Sequence, residues 1–247
     1  MFGLFRKKTS RADYGALGVD MHSHILPGID DGAPDVETSL QLIRNLLDMG
    51  YRQFIATPHI YPEIHPNNRD TITHALATLR TALREAGMNV QVDAAAEYMI
   101  DDAFDSTLQQ GNLLTLPGNR VLVEMSTMSV PPNLDQSLFQ LQLDGYQPVI
   151  AHPERYLFVG KSRARFHDWH DRGYELQINL LSVTGYYSPV VKENALYLLK
   201  NNLVHFAGTD AHHHRHTELL GMALKDPNMQ RCLEEVQWLN STLKASP

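Results

Sequence analysis

His22 and His24 stand two residues apart in VDMHSHILPGIDD, Val19–Asp31, at the end of a short apolar run. Alternate residues of an extended strand point to the same face, so both imidazoles can meet one cation. A lone His-x-His pair is a weak sign of a metal site. Repetition strengthens it, because later apolar runs also finish in side chains that bind or orient cations. The run Gln53–His59 ends in His59, Val90–Glu97 ends in Glu97, and Val121–Ser126 carries Glu124. Pro148–His152 ends in His152, Glu175–Asn179 in Asn179, and Val204–Asp210 in Asp210 with His212 just beyond; Asp31 lies in the turn after the first run. Taken singly, Glu97 could start a helix and Asp210 could belong to a turn. Glu124 inside VLVEMS is harder to explain that way, because burying an unpaired carboxylate in an apolar strand is costly.

Five histidines (His22, His24, His59, His152, His212) and four carboxylates (Asp31, Glu97, Glu124, Asp210), with no thiolate, suit Mn, Fe, Zn or Co. They exceed what one ion needs and suffice for two or three that share carboxylates and leave positions for water. Phosphate-monoester hydrolysis can demand accelerations near ~10²¹. A bound metal lowers the pKa of water from about 15.7 to about 7, which makes hydroxide available at neutral pH. Arg155, three residues after His152 in HPER, offers the planar, permanent cation that suits an anionic phosphoryl oxygen. The expected reaction is in-line attack by hydroxide on phosphorus, without a covalent phosphoenzyme. Asp20 or Glu154 is expected to orient the imidazoles. Cys232 has no arginine at the spacing of a Cys-x₅-Arg loop, so no cysteine nucleophile is expected. The other histidines receive no ligand role. His74 falls on a polar helix face, His65 in a Pro/Asn-rich loop, and His167 and His170 pair at i, i+3. His205 alternates away from Asp210, and His213, His214 and His216 decorate an exposed loop.

Helical patterns separate the runs. Asp35 can cap a first helix whose Val36, Leu40, Ile43 and Leu47 form one stripe, ended by Gly50. A second, from about Asp70, buries Ile72, Ala75, Leu76, Leu79 and Leu83 before Gly87. Weaker patterns span Asn133–Gly145, Ser162–Gly173 and Pro189–Asn201, and a last helix covers about Asn228–Leu243. Seven strand–helix units imply parallel strands with right-handed crossovers. The turn after the first strand, HSHILPGIDDG, lacks the glycine pattern of an open nucleotide-binding sheet, so a barrel with its site at the carboxyl ends of the strands is expected.

The chain of 247 residues, 43% hydrophobic and 20% charged, can bury a sizeable core in one domain. Its formal charge of −7 argues against nucleic acid as a partner. One cysteine excludes an internal disulfide and fits a reducing cytoplasm. No apolar run reaches the roughly 20 residues that span a bilayer. MFGLFRKKTSR reads as the start of a flexible basic tail, residues 1–16, making at most a weak membrane-surface contact; residues 17–247 form the single domain.

VDMHSHILPGIDDG, ATPH, AAEY, VLVEMS, VIAHPERY and GTDAH resemble, in order and spacing, the PHP (polymerase and histidinol phosphatase) superfamily. More narrowly, they resemble its bacterial manganese-dependent protein tyrosine phosphatases of capsule and exopolysaccharide biosynthesis, the CpsB/CapC family. The resemblance implies a distorted seven-stranded (β/α)7 TIM-like barrel, the PHP fold, with up to three divalent ions, manganese favoured. It also implies ligand roles for His22, His24, Asp31, His59, Glu97, Glu124, His152, Asp210 and His212. Arg155 would hold phosphate, with Asp31 beside it as a catalytic residue. The implied partner is the phosphotyrosine-containing tail of a bacterial tyrosine autokinase. Alternatives are a small-molecule phosphoesterase such as histidinol-phosphate phosphatase, or an idle barrel that binds phosphorylated tails.

Overall fold

The apolar runs become short parallel strands in the computed structural model, which describes residues 13–243. In chain order the elements are β1 (Val19–Asp20), α1 (Val36–Asp48), β2 (Gln53–Ala56), β3 (His59–Ile60), α2 (Arg69–Glu85), β4 (Gln91–Ala94) and β5 (Glu97–Met99). They continue as α3 (Phe104–Gln110), β6 (Arg120–Glu124), α4 (Leu134–Leu143), β7 (Gln147–Ala151), α5 (Ala164–Asp171), β8 (Glu175–Asn179), α6 (Pro189–Lys200), β9 (Phe206–Gly208), α7 (His214–Ala223) and α8 (Pro227–Glu235). Every strand pairing is parallel, giving a mixed α/β fold.

The second and third runs each break in two. Pro58 separates β2 from β3 because it has no N–H for the ladder, although its carbonyl still accepts from Glu97 N at 3.1 Å. The strands therefore fall into two groups, β1-β2-β4 and β3-β5-β6-β7-β8-β9, rather than the single seven-stranded ladder expected from the sequence. Beyond the strand ends, Asp210 N donates to His22 O at 2.8 Å and His24 N to Ala211 O at 3.0 Å.

Two apolar clusters hold the layers. The larger packs the helices on the outer face of the strands, with Leu42, Ile43 and Leu46 of α1 and Leu79 of α2 wholly buried. The smaller takes Val19, Ile55, Leu122, Val149 and Phe206 from different strands. Leu243 joins it from a 3₁₀ turn at Asn240–Leu243. Asn240, buried, donates to Val19 O at 3.0 Å and Ala207 O at 2.7 Å and accepts from Ala207 N at 3.0 Å, tying β1 to β9.

Five of the six expected helices hold with small shifts, and the last, expected to reach Leu243, is shorter. Asp35 caps α1, its carboxylate accepting from Thr38 N at 2.8 Å. The cap of α2 is Asn68, before the expected start. Two helices were unmarked in the sequence pattern, α3 and α7, and α7 overturns the expected loop at His213–His216: His214 opens the helix and His216 is buried in it. The last helix stops at Glu235. Of the expected tail, residues 1–12 lie outside the described residues. Tyr14 is buried and donates to Leu220 O at 2.8 Å, so the ordered fold starts before residue 17. No helix among the described residues is long and apolar enough to cross a membrane.

Candidate metal centre

The ends of the strands bring the nine expected residues together. His22 and His24 follow β1, His59 opens β3, Glu97 opens β5, and Glu124 closes β6. His152 follows β7, and Asp210 and His212 follow β9. His22 Nε2 lies 3.2 Å from Glu97 Oε2 and 3.4 Å from Asp210 Oδ1. His24 Nε2 is 3.4 Å from His22 Nε2, from Glu97 Oε2 and from Asp210 Oδ1. On the far side of Glu97, its Oε1 is 3.0 Å from His152 Nε2, while His59 Nδ1 is 2.8 Å from Glu124 Oε1. Asp31, more exposed, reaches His212 Nε2 at 3.4 Å and His59 Nε2 at 3.6 Å. Asn179, at the end of β8, donates to Asp210 Oδ2 at 2.6 Å and so orients that carboxylate.

Neighbouring groups orient the rings. His22 Nδ1–H donates to Gln177 Oε1 at 2.7 Å, His24 Nδ1–H to Asp30 Oδ2 at 2.9 Å, and His212 Nδ1–H to Asp210 O at 2.9 Å. These bonds leave each Nε2 lone pair facing the carboxylates. The expected orienting acids act elsewhere. Asp20 accepts from Thr209 N and Thr209 Oγ1, and Glu154 accepts from Asn179 N and Ser182 Oγ. Gln177 and Asp30 take the role instead, and neither stood out in the sequence. Two glycines make room. A Cβ on Gly208 would lie 2.6 Å from His22 Cβ, and one on Gly32 would lie 2.1 Å from His24 O. His152 and Asp210 adopt positive φ angles, 33° and 50°, a strained backbone that recurs at functional sites.

This donor set fits divalent cations. Lone pairs and carboxylate oxygens 3.2–3.4 Å apart repel unless a proton or an ion lies among them. Such separations are those of atoms sharing one ion at roughly 2.0–2.2 Å. Four overlapping groups have donor atoms all within 4.8 Å of one another: His24, Asp31, His59 and His212; His22, Glu97 and His152; His22, His24 and Asp210; and His59, Glu97 and Glu124. The buried Nδ1 atoms of His59 and His152 have no hydrogen-bond partner among the described residues. The 2.8 Å approach of His59 Nδ1 to Glu124 is thus a close contact without hydrogen-bond geometry, as expected where an ion belongs. Without a cation the site draws protons. Burial pushes the His22 imidazole down, but Glu97 and Asp210 overcome it and raise the pKa to about 9. Burial likewise works against ionised Glu97 and Asp210, yet the surrounding imidazoles hold both well below the usual carboxylate range.

Seven of the nine donors line an open cavity of about 420 Å³, and His22 and His24 lie buried behind it. Arg155 forms part of its wall; its Nη1 donates to Asp210 Oδ2 at 3.1 Å, and its guanidinium stacks 4.7 Å from the Tyr187 ring centre. Tyr61, Ile64, His65, Tyr187, His213 and His216 line the same cavity, all without a role in the sequence reading. His65 stacks on His59 with ring centres 5.2 Å apart, although its loop gave no sign of this. His74 is exposed on α2 as expected. His167 and His170 do not pair: His167 bonds Tyr197 OH at 2.8 Å, and His170 packs 5.6 Å from His205. Cys232 is buried on α8 with its thiol pushed up to about 12 by burial, which removes it from nucleophilic chemistry.

Comparison with known proteins agrees with this geometry. Over 195 residues the chain is 33% identical to the tyrosine-protein phosphatase YwqE of Bacillus subtilis (strain 168), covering 78% of this chain and 77% of the relative. It is 28% identical over 201 residues to the tyrosine-protein phosphatase CpsB of Streptococcus pneumoniae, covering 78% and 82%. A solved structure from work on YwqE and CpsB, described as unique metal-dependent tyrosine phosphatases, superposes with a TM-score of 0.75 at 29% identity, covering 90% of this chain and 96% of that one. A lactonase from Listeria monocytogenes, at 11% identity and a TM-score of 0.51, shares the fold alone. Residues 18–241 match the family described as capsular polysaccharide synthesis, CpsB/CapC, and this chain belongs to it.

Proposed function

We propose that this chain is a metal-dependent tyrosine phosphatase, acting on phosphotyrosine in the tail of a bacterial tyrosine autokinase that governs capsular or exopolysaccharide synthesis. The observation that carries the reading is the convergence of nine nitrogen- and oxygen-bearing side chains, seven of them lining an open cavity beside a fixed guanidinium. His22, His24, Asp31, His59, Glu97, Glu124, His152, Asp210 and His212 would hold two or three ions, with Glu97 facing more than one. With no thiolate among them the set suits Mn, Fe, Zn or Co, and the family resemblance favours manganese. When bound, such ions supply Lewis acidity and a water acidified to near neutral pKa.

The protein's own groups do the rest. Arg155 binds the phosphoryl oxygens, and its pairing with Asp210 and stacking on Tyr187 hold the fork in place before substrate arrives. Asp31, kept ionised by His212 and His59, stands at the more exposed edge, where it orients the attacking water. A closed seven-stranded barrel would bring all these strand ends to one rim. It is supported by the hydrogen bonds between the extensions of β1 and β9 and by the inner cluster drawing on several strands.

The test is turnover of a phosphotyrosine peptide by protein loaded with Mn²⁺, after chelation, and after Mn²⁺ is restored, with histidinol phosphate as the competing substrate. Activity lost on chelation and regained with the metal, and favouring the peptide, is expected. Equal turnover before and after complete chelation, or a preference for histidinol phosphate, would refute the assignment.

A further inference from the structure

Apolar side chains stand uncovered in loops at the end of the fold where the charged cavity opens. Nine large hydrophobic side chains are exposed among the described residues. Five of them, Ile64, Met128, Val130, Leu157 and Tyr186, stand in loops that follow β3, β6, β7 and β8. In parallel strands these loops share the end of the fold where the site lies. Ile64 itself lines the cavity. Leu157, two residues beyond Arg155, donates its N–H to Thr127 O at 2.8 Å, so its loop adjoins the one carrying Met128. The Tyr186 ring lies 5.0 Å from Tyr187, which stacks on Arg155, and 5.4 Å from His216 in the cavity wall.

Ile64 and Met128 are 61% and 70% exposed, far more than side chains of their type usually are. Apolar groups gathered at the mouth of a polar cavity mark an interaction surface. What covers this one follows from its position. A phosphoryl group on Arg155 places the tyrosine ring along the cavity, and the polypeptide carrying that ring must then lie across these loops. A free metabolite bound in the cavity would meet only the one of them that lines it, Ile64.

We propose that Ile64, Met128, Val130, Leu157 and Tyr186 form a specificity rim that selects polypeptides with large apolar or aromatic side chains flanking the phosphotyrosine. The inference rests on the phosphatase reading of the cavity. It assigns the choice of protein over metabolite to residues outside the metal and phosphate ligands.

Three substrates test it on the Mn²⁺-loaded protein: p-nitrophenyl phosphate and two phosphotyrosine peptides that differ only in carrying leucine and tyrosine, or serine, at the flanking positions. The apolar peptide is expected to have about a tenfold higher kcat/KM, through KM, as two partly buried side chains would give. Combining Met128→Ser with Leu157→Ser should bring the two peptides level while leaving p-nitrophenyl phosphate within twofold. Equal kcat/KM for both peptides in the unmodified protein would overturn the rim, as would a parallel loss on all three substrates in the double variant. No turnover of any aryl phosphate by the loaded protein would instead remove the phosphatase reading, and the rim with it.

Discussion

Arg155 is shared between a carboxylate and an aromatic ring, so it reaches the cavity as a rigid fork rather than a mobile charge. Lysine would keep the charge but lose the two-pronged geometry and the stacking on Tyr187. Arg155→Ala should lower kcat/KM on a phosphotyrosine peptide by about 10²–10³, the usual loss when one preorganised donor to developing charge is removed. Arg155→Lys should recover only part of this. A variant within threefold of the unmodified enzyme would show that phosphate is held elsewhere. Cys232→Ser, far from this chemistry in its apolar site, should leave kcat unchanged and cost stability alone. The convergence of the candidate ligands was legible in the sequence because their types recur at the ends of apolar runs. Their supports were not: His22 and Gln177 lie 155 residues apart, and no local pattern links them. Tyr187 and His65 escaped for the same reason, since only the approach of distant loops places them at the cavity.

At the scale of elements, strand spacing decides how accurately the ligands are held. Gly208 on β9 leaves room for the His22 and Gln177 side chains because it has no Cβ; an added one would meet His22 Cβ at 2.6 Å and Gln177 Nε2 at 2.8 Å. Gly208→Ala should therefore turn the His22 ring and weaken Mn²⁺ binding, and Gln177→Leu should do so by removing the acceptor for Nδ1–H. A change of about 10–100-fold in metal affinity by calorimetry is the scale for a lost orienting partner. Unchanged affinity in both would show that His22 needs no support. Asn240 acts at the opposite purpose, holding β1 to β9 without touching the cavity. Asn240→Ala would leave three buried backbone groups short of partners, costing about 3 kcal/mol and lowering Tm by about 6–12 °C, with kcat retained. The stripe of α1 and the glycine after it were plain in sequence, whereas α3 is short and has no side-chain cap. The His-rich start of α7 resembles a loop until its packing against the rest of the fold is known.

For the whole molecule, the centre couples folding to pH and to metal. Without ions, His22 has a folded pKa raised from 6.5 to about 9, so it binds a proton more tightly when folded. That contribution to stability is complete below pH 6.5 and is lost as pH rises through about 9. Glu97 and Asp210, with pKa values depressed in the fold, act with the opposite sign: their contribution is present above the ordinary carboxylate range and fades only in acid. Metal-free protein should therefore lose thermal stability between pH 6.5 and 9, as the proton that balances the carboxylates departs. Divalent ions supply the same positive charge, and their affinity rises with pH because they compete with fewer protons. The gap in Tm between Mn²⁺-loaded and metal-free protein should widen steadily over this range, and loading at pH 7 should release protons measurable in buffers of different ionisation enthalpy. A gap independent of pH, with no proton release, would mean that the imidazoles and carboxylates do not share one cation-binding centre.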